Sequence, residues 1–159
     1  MPCVGIIANP LSGKDIRRLV TLASSFSNHE KVLILRRVLA GLAAAGVREA
    51  LVYNDSGSLG EAALDGLGDL PRGTTLKGRL LSMNAIGDGR DTTRAANAMA
   101  ERGASCIVVV GGDGTSRAAA KGCGNKPLVP LSTGTNNAFP MDWEGTVAGL
   151  GAGLYAAHS

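Results

Sequence analysis

Short apolar runs alternate with longer helical stretches along this chain, and nearly every apolar run breaks into a loop of Gly, Pro, Asn, Asp or Ser. "CVGIIA" (3–8) reads as a strand that stops at "NPLSGKD". Helical sequence follows from Asp15, with a break near "SSFSN". Ser27 or Asn28 then caps a second helix that runs to Gly46. "EALVY" (49–53) is the second strand, a Gly-rich polar stretch holds one short helix near 59–66, and "GRLLSM" (78–83) is the third strand. A helix over 87–103 takes Asp91 or Thr92 as its cap and turns Ala95, Ala96 and Met99 inward. "CIVVV" (106–110), a helix at about 115–121, "PLVPL" (127–131) and a final helix over 143–157 complete the series.

This alternation predicts βαβ units: a doubly wound, Rossmann-like parallel sheet in a three-layer α/β/α arrangement. The fourth strand is apolar without interruption, as parallel strands covered on both faces are. With no internal repeat and no low-complexity linker, residues 1–159 read as a single α/β domain.

Composition narrows the class of ligand. Aromatics make up only 3% of the chain, too few for a base-stacking surface, and a net charge of +3 spread along the sequence gives no duplex-binding stripe. A small anionic ligand fits better than nucleic acid. Cys3, Cys106 and Cys123 form no CxxC pair and no metal set, and Cys106 sits in a strand expected to be buried. The opening residues lack a charged leader, and "VGIIA" is too short to span a membrane. On these features the chain is expected in the cytoplasm, away from membranes. His29 and His158 read as surface residues, at a helix start and in the terminal tail.

Three loops leave carboxyl ends of predicted strands, where open parallel sheets bind ligands: "NPLSGK", "GGDGT" and "STGTNN". Gly111, Gly112 and Gly114 would let backbone N–H groups approach a phosphate, and a helix N-terminus behind them favours negative charge. The same glycines could instead serve a tight turn. Asp113 is either a helix cap or a ligand-facing carboxylate, and Thr115 divides between the same two roles. Asn9, Ser12 and Gly13 suit ligand contact or an Asx turn, and of Asn136 and Asn137 one reads as structural. Arg117 pairs with phosphate or stands in solvent. Asp88, Asp91, Arg90 and Arg94 read as a solvated helix start rather than a metal site, and Trp143 as a packing residue opening the last helix. The P-loop pattern fails, with Ala8 where its first Gly belongs and Asp15 where it needs Ser or Thr. A GxGxxG fingerprint after the first strand is also missing.

"GGDGT" behind an apolar strand, with "NPLSG" before it and "STGTNNAFP" after it, resembles the NAD kinase and diacylglycerol/sphingosine kinase superfamily. The combination looks most like ATP-NAD kinase-like proteins of the acetoin-catabolism X type. The resemblance implies a two-domain kinase that uses ATP with Mg²⁺, and NAD as the acceptor. In the family pattern the glycine loop contacts phosphates, the residue matching Asp113 acts as base on the acceptor hydroxyl, and those matching Thr135 and Asn136 contact nucleotide or metal-bound phosphate. A lipid kinase-like domain and a non-catalytic nucleotide-binding accessory protein are the competing readings. The family's β-rich C-terminal domain is absent from this chain, so the resemblance implies that a second copy, in a homo-oligomer, or a C-terminal domain must complete the acceptor site.

Overall fold

The computed structural model describes residues 1–13, 27–133 and 137–159. The helix expected from Asp15 and the candidates Thr135 and Asn136 lie outside the described residues. Five parallel strands form one sheet: β1 (Cys3–Ala8), β2 (Glu49–Tyr53), β3 (Lys77–Leu81), β4 (Cys106–Gly111) and β5 (Leu128–Ser132), in the order β3-β2-β1-β4-β5. Between and after them come α1 (Asn28–Ala44), α2 (Leu59–Asp65), α3 (Gly89–Glu101), α4 (Asp113–Gly122) and α5 (Gly145–His158). The expected α/β fold is therefore observed, with several element ends shifted by a residue or two. α4 begins at Asp113 rather than 115, and β3 spans Lys77–Leu81 rather than 78–83. His158 closes α5 instead of lying in a tail.

Strand alternation sorts the core into two layers. Val4, Ile6 and Ala8 of β1 pack with Leu35, Leu39 and Leu42 of α1, Leu59 of α2 and Ala148, Ala152 and Ala156 of α5. Cys3 and Ile7 face the other way, onto Ala95, Ala96 and Met99 of α3 and Ala119 of α4. Gly5 also looks toward α3, and a Cβ there would lie 2.7 Å from the Met99 sulfur.

The contact between α1 and α5 runs backbone against backbone. A Cβ on Gly41 would strike the Thr146 carbonyl, one on Gly149 the Val38 carbonyl, and one on Gly145 would come within 2.8 Å of the Ile34 carbonyl oxygen. α1 itself starts with a capping box: the Glu30 N–H donates to Ser27 Oγ at 3.1 Å, and the Ser27 N–H to Glu30 Oε2 at 2.6 Å. At the sheet edge, Pro130 withholds a donor from β5, and Met141 covers the strand through hydrogen bonds with Pro130 and Ser132. Among the described residues no helix is long and apolar enough to cross a membrane.

The start of α3 differs from expectation. Asp88, not Asp91 or Thr92, is the cap, accepting from the Arg90 N–H at 2.8 Å. Asp91 turns inward instead, with 3% exposure, while Asp88, Arg90 and Arg94 stay exposed as expected. Its carboxylate accepts from the N–H groups of Ile86 (2.9 and 2.8 Å) and Gly87 (2.7 Å) and pairs with Arg94 at 3.1 Å. Burial pushes the Asp91 pKa up, but the two amide donors and the Arg94 charge outweigh it and hold the group below its ordinary 3.8. A depressed folded-state pKa contributes stability above the unfolded value, and that contribution fades as pH falls through the folded one. Asp91→Asn should therefore cost about 2 kcal/mol at neutral pH and flatten the loss of stability below pH 3.8, read by urea unfolding across pH.

Candidate functional site

In the order β3-β2-β1-β4-β5 the chain winds in opposite directions from β1 and β4, so the ligand crevice of such a sheet opens between their carboxyl ends. Ala8 and Val110 are register partners there, and the next residues begin the first and second candidate loops. Asn9 donates its backbone N–H to the Val110 carbonyl at 3.1 Å.

Side chains lace the loops together across the crevice. Asn9 closes an Asx turn by accepting from the Leu11 N–H at 2.9 Å, while its Nδ2 donates to Thr115 Oγ1 at 3.0 Å. The Ser12 hydroxyl donates to the Asn9 carbonyl at 2.8 Å and lies 2.8 Å from Thr133 Oγ1. Gly13 adopts a φ of +74°, which favours glycine. The Thr133 N–H donates to the Gly111 carbonyl at 3.2 Å, tying the loop after β5 to the one after β4. Asn137 bridges the same two loops: its Oδ1 accepts from the Asp113 N–H at 3.3 Å and its Nδ2 donates to Ser132 Oγ at 2.9 Å.

Gly112 is the cap of α4, and Asp113 its first helical residue. The Asp113 carboxylate accepts from the N–H groups of Ala138 (3.1 and 3.0 Å) and Phe139 (2.9 Å). Those two donors, with the nearby Arg117 guanidinium, hold its pKa below the usual carboxylate value. Asp113 is thus an anion that ties the helix start to the segment after β5, and it retains lone pairs for a further donor. Beside it lies a groove of about 380 Å³ lined by Asp113, Ser116, Arg117, Ala120, Ala138 and Phe139.

The glycines have separate reasons. A Cβ on Gly111 would meet the Thr115 side chain at 2.7 Å, and one on Gly112 would meet Asn137 Oδ1 at 3.0 Å. A Cβ on Gly114 would meet nothing within 4 Å among the described residues, and its φ is ordinary. The fold explains the first two; for Gly114 the described residues supply no reason.

Residues 4–141 match the family described as ATP-NAD kinase N-terminal domain. The chain belongs to that family. A curated relative, "Acetoin catabolism protein X" of Cupriavidus necator (strain H16), is 43% identical over 157 residues, which is 98% of this chain and 44% of the relative. The chain thus spans less than half the length of that protein. No solved structure matches it.

In this NAD kinase-type domain, the described candidates Asn9, Ser12, Gly13, Gly111, Gly112, Asp113, Gly114, Thr115 and Asn137 all lie around one crevice. Ser132 and Thr133, the first two residues of the "STGTNN" loop, join them, although neither was named as a candidate from the sequence. Trp143 precedes α5 with 52% exposure rather than packing, and Phe139 is 59% exposed beside Asp113. His29 and His158 are exposed, and the described residues contain no cluster of three His, Cys, Asp or Glu able to hold a metal.

Proposed function

We propose that the chain is the nucleotide-binding part of an ATP-dependent phosphotransferase that phosphorylates a hydroxyl, with NAD as the acceptor. The observation that carries this reading is Gly114, a helical glycine beside Asp113 that neither a positive φ nor any neighbouring atom among the described residues requires. Glycine inside a helix costs about 0.5–1 kcal/mol relative to alanine. A ligand phosphate lying against the α4 N-terminus gives the missing Cβ a purpose, since it would approach the backbone where the helix favours negative charge.

On this reading the Asn9–Gly13 and Gly111–Thr115 loops cradle the donor phosphates. Thr135 and Asn136, by family pattern, contact the same nucleotide. Mg²⁺ would ride on the phosphates and keep most of its waters, which suits a crevice whose described residues offer few carboxylates. It would neutralise charge on the transferring group. Asp113 accepts a hydrogen bond from the acceptor hydroxyl and points its oxygen at the γ-phosphorus. The new oxygen–phosphorus bond forms as the β–γ bridge breaks, and the proton leaves late, because a loose transition state requires little deprotonation of the nucleophile. A carboxylate with a lowered pKa suits that orienting role better than early proton abstraction. The acceptor side would come from a second copy or from further polypeptide, and the exposed Phe139, Met141 and Trp143 beside the crevice give it an apolar surface to meet.

Calorimetric titration with ATP–Mg²⁺ and with NAD tests the reading, and Gly114→Ala sharpens it. Alanine should leave stability equal or higher by about 0.5 kcal/mol, yet weaken ATP binding by about tenfold or more, since 1.4 kcal/mol of lost contact gives that factor. Unchanged affinity would make Gly114 an idle residue, and a wild-type chain that binds neither nucleotide would remove the proposal.

A further inference from the structure

We propose that Lys31, in the first turn of α1, is a positioning residue for the nucleotide site; the inference rests on the nucleotide-binding reading above. Its side chain is 0% exposed. An ammonium removed from water must find acceptors for three N–H bonds, or its burial costs several kcal/mol. Lys31 Nζ finds them in the loop after β1, donating to the carbonyls of Asn9 (3.0 Å), Pro10 (3.0 Å) and Ser12 (2.7 Å), with Asn28 Oδ1 at 3.4 Å.

Two of those carbonyls belong to Asn9 and Ser12, the residues whose side chains reach Thr115 and Thr133 and so join the first loop to the other two. Lys31 therefore fixes the backbone from which both ties are cast. It also sets the direction of a peptide group. In a trans peptide the C=O and the following N–H point opposite ways. Drawing the Ser12 carbonyl onto Lys31 turns the Gly13 N–H away from the ammonium, and the positive φ of Gly13 continues the turn. Drawing carbonyl oxygens toward a buried cation keeps their negative ends off the path of an anion. A methionine of similar length would fill the same space without the cost of burying a charge.

The test uses the chain as it is, with ATP–Mg²⁺ as the probe. Lys31→Met should retain its circular dichroism spectrum and bind ATP about tenfold more weakly or worse, because a misplaced loop forfeits preorganisation. In wild-type protein with ¹⁵N-labelled lysine, the Lys31 ζ-ammonium signal, sheltered from exchange, should shift when ATP is added. A folded variant with unchanged affinity, or a ζ signal that stays fixed while ATP binds, overturns the role of Lys31 and leaves the nucleotide reading standing. Should the variant not fold, the wild-type ζ signal decides alone. Wild-type protein that does not bind ATP ends both proposals together.

Discussion

Asparagine at position 113 is expected to reduce phosphoryl transfer by about a hundredfold or more while ATP affinity stays within about threefold, a change of under 1 kcal/mol. The side-chain shape is preserved, and one amide oxygen can still accept from the Ala138 and Phe139 N–H groups, so the segment after β5 keeps its tie to α4. What disappears is the negative charge that, on the proposed function, orients the attacking hydroxyl and takes up its proton. Asp113→Ala differs in kind, because it releases Ala138 and Phe139 as well and should weaken nucleotide binding along with turnover. NADP formation by the active assembly and calorimetry with ATP separate the two variants. Full turnover in Asp113→Asn would reduce the carboxylate to a structural tie.

The largest expected loss of stability lies far from the crevice. Gly149→Val should cost about 3 kcal/mol or more, or prevent folding, since overpacking a closely packed contact forces backbones apart. Even the Cβ would collide with the Val38 carbonyl of α1, which cannot swing aside as a side chain could. Gly151→Ala, two residues on and with nothing within 4 Å of its Cβ among the described residues, should be neutral or slightly stabilising. Urea midpoints of the pair measure the contact directly. Equal midpoints would mean that α1 and α5 do not touch at their glycines.

β1, β2 and β4 were legible because they are mainly apolar runs closed by turn residues, and β1 and β2 fall where "CVGIIA" and "EALVY" placed them. The cap of α3 was not. "DGRDT" offers two aspartates three residues apart, both chemically suited to capping, and only the sheet's position decides that Asp91 faces the interior. Lys31 escaped for a related reason: a lysine in the first turn of an amphipathic helix looks solvated until the loop after β1 folds over it. Trp143 misled in the opposite sense, since a large apolar side chain suggests packing, yet it lies outside α5 and is half exposed. The motif loops could be placed at one sheet edge from strand order alone. The pairings Asn9 with Thr115 and Asp113 with Ala138 and Phe139 could not, because they depend on how far each loop reaches.

The glycine-lined seam between α1 and α5 also bears on the order of assembly. Its two halves are separated by about a hundred residues of chain, so closing it carries the entropic cost of a long loop. During synthesis Leu35, Val38 and Leu42 emerge well before the helix that covers them. Until residues 145–158 arrive, one face of the nascent sheet keeps an open apolar slot, which makes that interval the one in which the chain is most exposed to aggregation and to chaperone capture.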